Sequence, residues 1–121
     1  MSDTGPDETF RRFLGEGRFM LQRSASGRYT FYPRVAEPGT GAALEWVEAS
    51  GRGVVHAVTV VRKKPPEPSY NVVLVDLEEG VRMMSRVEDL ALEQVSIGLK
   101  VCARIIEQDG EPAVVFVPAE A

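Results

Sequence analysis

One cysteine, one histidine and one tryptophan in 121 residues leave this chain short of the material from which most metal and catalytic sites are made. A lone cysteine closes no internal disulfide, and Cys102 with His56 cannot furnish a four-ligand Cys/His zinc site. Cys102 stands in the apolar run Leu99-Lys100-Val101-Cys102-Ala103, the setting of a small packed hydrophobe rather than a nucleophile. His56 lies between Val55 and Ala57 with no partner base or nucleophile to name, which reads as a structural histidine. Positive charge is also scarce. Fourteen Lys and Arg against eighteen Asp and Glu give a net charge of −4, which argues against a nucleic-acid footprint. No apolar run reaches membrane-spanning length, and the opening Met1-Ser2-Asp3-Thr4-Gly5-Pro6-Asp7-Glu8 is too polar for a signal peptide. The expectation is a soluble, cytoplasmic protein. A Ser-His-Asp set, a P-loop and a dinucleotide fingerprint are all missing, and the glycine pairs Gly15-Glu16-Gly17 and Gly51-Arg52-Gly53 do not substitute for one.

What is present is enough apolar content for one core, with 44% hydrophobic and 26% charged residues. Asp7–Leu14 predicts a short helix: acidic residues at its start, Phe10, Phe13 and Leu14 on one face, Gly15 and Gly17 at its end. Too short to stand alone, it must dock that face. Arg18–Arg23 alternates as a strand, Ser24-Ala25-Ser26-Gly27 is a turn, and Arg28–Tyr32 is a second strand closed by Pro33. Val35–Ala43 is loop, and Leu44–Glu48 is a further strand carrying Trp46. This first third holds few aliphatic residues for a core.

From Gly51 onward strand signals crowd together. Val54–Arg62, Tyr70–Leu77, Val81–Ser85, Leu99–Glu107 and Ala113–Val117 are the five, with a short helix or helical turn over Val87–Gln94 and a tight turn at Asp109-Gly110. Three strands, a helical connection and two more strands is the order of an OB-fold, a five-stranded, partly open barrel, with an SH3-like barrel as the rival.

Glu16-Gly17-Arg18, Leu21-Gln22-Arg23, Gly27-Arg28, Phe31-Tyr32-Pro33-Arg34, Leu44-Glu45-Trp46, Ser50-Gly51-Arg52-Gly53 and Ile97-Gly98-Leu99-Lys100-Val101 occur in an order that resembles the domain-of-unknown-function-thirty-five family. That family consists of acyl-CoA-associated proteins with a rubredoxin-like zinc ribbon followed by an OB-fold. The resemblance implies a mostly β chain with an N-terminal helix over 1–17, a ribbon over 18–48 and an OB-fold over 49–121. It also implies two Cys-x-x-Cys knuckles, and here the chain departs from the pattern. The first knuckle falls on Ser24-Ala25-Ser26 and the second on Glu37-Pro38-Gly39-Thr40, so all four thiolates are absent and the ribbon reads as degenerate and metal-free.

By resemblance the chain is a non-catalytic accessory or scaffold subunit of a thiolase-like or hydratase-like enzyme that helps bind or channel acyl-CoA, with no cofactor of its own. Candidate contact residues are Arg28, Tyr29, Phe31, Tyr32, Arg34 and Trp46 in the ribbon, and Arg62, Lys63 and Lys64 after the long strand, where three positive charges before Pro65-Pro66-Glu67-Pro68 read as a solvated loop or, alternatively, as a site for the phosphates of a CoA carrier. The aromatics either pack into a small core or form a contact face. Such contacts are expected to straddle the seam Leu44–Val61. The alternative from the barrel alone is a single-stranded nucleic-acid binder, poorly supplied with aromatics because Tyr70 and Phe116 are the only two between Val54 and Val117. An independent enzyme is the third class.

Overall fold

Helix α1 runs over Pro6–Gly15, with proline in its first turn, Asp7 and Glu8 beside the positive end of its dipole and Arg12 near the negative end. The structure is a computed structural model describing residues 5–119. The N-terminal reading at Met1–Thr4 and the domain boundaries at residues 1 and 121 lie outside the described residues. Two compact units form. One holds the N-terminal segment through Ser50 together with Ile105–Val114, and the other holds Gly51–Arg104 with the segment from Val115 onward.

In the first unit, strands β1 (Met20–Ser24), β2 (Tyr29–Thr30) and β3 (Leu44–Glu48) make an antiparallel sheet in the order β2-β1-β3. β1 pairs with β3 along its whole length, from Met20 opposite Glu48 to Ser24 opposite Leu44. As the central strand it is covered on both faces, so Met20, Gln22 and Ser24 are as buried as Leu21. The alternation of Phe19 and Leu21 anticipates only one of those faces. β2 is shorter than the predicted Arg28–Tyr32, since only Tyr29 and Thr30 pair with β1 and Phe31 leaves the ladder to set its ring 5.6 Å from Phe10.

The second unit contains β4 (Arg52–Val61), β5 (Tyr70–Leu77), β6 (Arg82–Ser85) and the starts and ends of β7 (Lys100–Gln108) and β8 (Glu111–Pro118). The strand order is β6-β5-β4-β7-β8, and a parallel bridge between Val87 and Phe116 closes the sheet into the OB-fold barrel. β4 pairs with β5 over its whole length but with β7 only at Arg52, Gly53 and Val54. A bulge between Val55 and Ala57 leaves His56 as the extra residue, which bends the strand as closure requires. The core is aliphatic with one ring: Val55, Val73, Val75, Leu77, Met83, Val101 and Val115 around the fully buried Phe116.

The connection over 87–94 is helical only at Leu92–Gln94, a single 3-10 turn. Tertiary hydrogen bonds override local propensity there. The side chain of Asn71 accepts from the Val87 N–H at 2.8 Å and donates to its carbonyl at 3.0 Å, and Glu88 N–H donates to the Phe116 carbonyl. Backbone groups committed in this way cannot also close a helical turn.

Candidate functional site

The four positions on which the resemblance places the knuckles, Ser24, Ser26, Glu37 and Thr40, converge. Ser24 is 2% exposed at the end of β1, and Glu37, on a loop thirteen residues later, is 5% exposed. Ser24 Oγ donates to Glu37 Oε2 at 2.9 Å, and Thr40 Oγ1 donates to Glu37 Oε1 at 2.5 Å. A hydroxyl has one proton, so with Ser24 committed to the carboxylate it is Ser26 that donates across the 2.7 Å Ser24–Ser26 contact. Arg28 Nε lies 3.9 Å from Glu37 Oε2. The loops that carry these side chains also close on themselves, through Ser24 N–H to Arg28 C=O in one and Glu37 N–H to Ala42 C=O with Gly41 N–H to Glu37 C=O in the other.

Hydrogen bonds from Thr40 and then Ser24 hold the Glu37 carboxyl below its ordinary range. Burial opposes the shift and the charge of Arg28 assists it. The cluster does not fit zinc. It offers three hydroxyls and one carboxylate with both oxygens already committed, where a structural zinc takes four sulfur or nitrogen ligands. Among the described residues no group of three or more His, Cys, Asp or Glu side chains is placed to hold a metal ion.

Beside this cluster the first unit's aromatics separate into packed and exposed ones. Phe10 of α1 stacks on Trp46 at 6.4 Å and meets Phe31 and Phe19 edge-on, while Phe13 lies 5.5 Å from Trp46. Phe31 and Trp46 thus belong to a small aromatic core under α1. Tyr29 lies under the Arg23 guanidinium, itself paired with Glu45 at 3.0 Å. Tyr32, Arg34 and Val35 face solvent, with Val35 86% exposed. A groove of about 440 Å³ runs past this loop, lined in part by Thr9, Arg34, Val35, Leu44 and Trp46.

The buried Gln22 side chain sets the position of that loop. Its Oε1 accepts from the Arg34 N–H at 2.7 Å, and its Nε2 donates to the Arg34 carbonyl at 2.6 Å. Sequence reading passed over Gln22 because its place in a strand of alternating residues marks it as solvent-facing. A polar residue in a strand covered on both faces is the signal that would have found it.

In the barrel unit, Arg62, Lys63 and Lys64 are exposed and follow directly on β4, and the Lys63 N–H donates to Ser69 Oγ at 3.0 Å. His56 is about half exposed at the bulge, with Nδ1 3.4 Å from Asp76 Oδ2 and 3.3 Å from the Arg82 guanidinium. Arg82 in turn binds Asp76 at 2.6 Å and holds that carboxyl below its ordinary range. This is a satisfied surface triad rather than a general base facing a nucleophile. Cys102 is half-buried. Phe116 is fully buried, which leaves Tyr70 as the barrel's exposed aromatic, too little for base stacking. No described helix is long and apolar enough to cross a membrane.

Residues 46–105 match the family model of the C-terminal OB-fold domain of ChsH2. The chain is similar to a probable enoyl-CoA hydratase alpha subunit of Thermomonospora curvata, with 32% identity over 84% of this chain and 34% of that protein. It is also similar to DUF35 domain-containing scaffold proteins of Methanocaldococcus jannaschii (34% identity over 60% of this chain and 55% of that one) and Methanothermobacter thermautotrophicus (31%, 60% and 59%). It thus spans between about a third and three-fifths of the curated relatives it matches. Among solved structures, a chain described as Ltp2-ChsH2(DUF35) aldolase superposes with a TM-score of 0.84 at 27% identity, covering 99% of this chain and 98% of that one.

Proposed function

Since this chain belongs to the DUF35 family, we propose that it is a non-catalytic accessory subunit that assembles with an enzyme acting on acyl-CoA thioesters, of the thiolase-like or hydratase-like kind. The observation that carries this reading is the near-complete superposition on a DUF35 chain of an aldolase assembly, joined by two relatives described as scaffold proteins. The side chains support it from below. The two clusters described above, around Glu37 and around Asp76, are hydrogen-bonded and ion-paired locks satisfied by their own neighbours, the arrangement of structural groups rather than of an acid, base or nucleophile.

The CoA carrier, on this reading, meets the exposed Arg62-Lys63-Lys64 run through its phosphates, an attraction that weakens with salt. Arg28, Tyr29, Tyr32 and Arg34 are the ribbon groups offered to a partner, and Phe31 and Trp46 act from beneath as the core that supports them.

Pull-down from the native host, followed by calorimetric titration of the purified chain with the thiolase-like or hydratase-like enzyme recovered, tests the assignment. A saturable complex, with no turnover of acyl-CoA by this chain alone, is the expected result. Turnover by the isolated chain, or no complex with that enzyme, would sink it.

A further inference from the structure

We infer that the loop Tyr32-Pro33-Arg34-Val35, with the groove beside it, is the docking face for the partner enzyme, and that its counterpart is an acidic surface bearing an apolar side chain. This rests on the accessory-subunit reading above and adds the place and chemistry of the contact.

Three observations meet at this loop. It is exposed yet fixed: both backbone hydrogen-bonding groups of Arg34 are held by the carboxamide of Gln22, itself 4% exposed. A loop anchored from inside loses little conformational freedom when it binds, so its contact energy is not spent on ordering. Two of its side chains, a half-exposed tyrosine and an arginine, are of the kind that anchor interfaces, and an almost fully exposed valine stands beside them. The groove beside them, with Leu44 and Trp46 in its wall, is the size of an inserted side chain or short segment.

Charge selects the partner. The chain carries −4 overall, yet from Gly17 to Ala36 it has four arginines and no acidic residue. Arg18, Arg23 and Arg28 each have a carboxylate within 4 Å, at Glu16, Glu45 and Glu37. Arg34 has no ion-pair partner among the described residues and stands at the groove's edge. An exposed, unpaired guanidinium next to a recess walled in part by Leu44 and Trp46 complements a carboxylate next to an apolar side chain. The exposed Ile97 of the barrel has no arginine in its own turn, and the arginines flanking the exposed Met84, Arg82 and Arg86, are already paired with Asp76 and Glu88.

Arg34→Glu and Val35→Asp, made separately in the full chain, test the inference. Both residues are exposed, and an unchanged melting temperature and Trp46 emission confirm folding. Affinity for the acyl-CoA enzyme recovered with the chain from its native host should fall about 10-fold or more in each, while Met84→Asp on the barrel leaves it unchanged. Gln22→Leu, which frees the loop without altering its exposed side chains, should also weaken binding. Equal affinity of Arg34→Glu, Val35→Asp and wild type would overturn this docking face and leave the accessory role standing. Failure of wild type to bind would overturn both. If Val35→Asp instead abolished self-association in sedimentation, the face would be a contact between copies of this chain and the inference would fall.

Discussion

Gln22 and Arg34, twelve residues apart, are joined as two strands would be: the side-chain amide of one takes both backbone groups of the other, at 2.6 and 2.7 Å. Asn71 does the same for Val87 in the barrel, at 3.0 and 2.8 Å, so each unit uses a buried carboxamide where the ladder lacks a strand. Gln22→Ala leaves the Arg34 N–H and C=O without their partner and should destabilise the first unit by about 1–3 kcal/mol. Denaturant titration followed by the emission of Trp46, the chain's one tryptophan and part of that unit, measures it.

Asn71→Ala should cost a similar amount, about 1–3 kcal/mol, but in the barrel. Hydrogen exchange should then show the Val87 amide losing protection while the amides of β1 keep theirs. Loss of protection in β1 instead would mean that the two units do not open independently.

Glu37 ties stability to pH. Its folded-state pKa is depressed, so its contribution is full above the unfolded carboxyl value of about 4.3 and is lost as pH falls through the lower folded value. Glu37→Gln should therefore be less stable than wild type at pH 7, and the gap should close below about pH 4. Parallel melting curves from pH 7 to pH 3, read at Trp46, check this. A gap that stayed constant with pH would mean that the carboxylate charge has no part in the lock.

The hydrogen-bonded cluster should make the ribbon indifferent to metal. Elemental analysis of the purified chain should find no stoichiometric zinc, and a strong chelator should leave the melting temperature where it was. One equivalent of zinc per chain would contradict the assignment of Ser24, Ser26, Glu37 and Thr40 as a degenerate site.

Gly53 shows how tightly β4 crosses β5. A Cβ at that position would lie 2.6 Å from Val75 Cγ1 and 3.0 Å from the Asp76 carbonyl oxygen. Gly53→Ala should destabilise the barrel by about 1–3 kcal/mol through overpacking, measured as a lower denaturation midpoint by far-UV circular dichroism.

Much of this was legible in the residues. The helix at Pro6–Gly15, the strand at Leu44–Glu48 and the strand at Tyr70–Leu77 follow from apolar period, turn residues and β-branched content, all of them local signals. An order of short motifs also singled out Ser24, Ser26, Glu37 and Thr40, which the fold joins by hydrogen bonds. The length of β2 and the lack of a helix at Val87 were not, because each depends on a partner far along the chain: Phe10 for Phe31, and Asn71 and Phe116 for the segment around Val87.

By itself the sequence determined the class of fold and excluded an internal disulfide and a four-ligand Cys/His zinc site, since periodicity, turns and residue counts are properties of neighbours and totals. The tertiary structure decided which polar residues lie inside. Ser24, Gln22, Glu37 and Asn71 look like ordinary surface residues in the string, and only strand pairing and loop closure show them buried and satisfied. The physical reason is that burying a polar group costs free energy unless a partner meets it. The fold brings Arg34 to Gln22, Glu37 to Ser24 and Val87 to Asn71 across twelve to sixteen residues of chain.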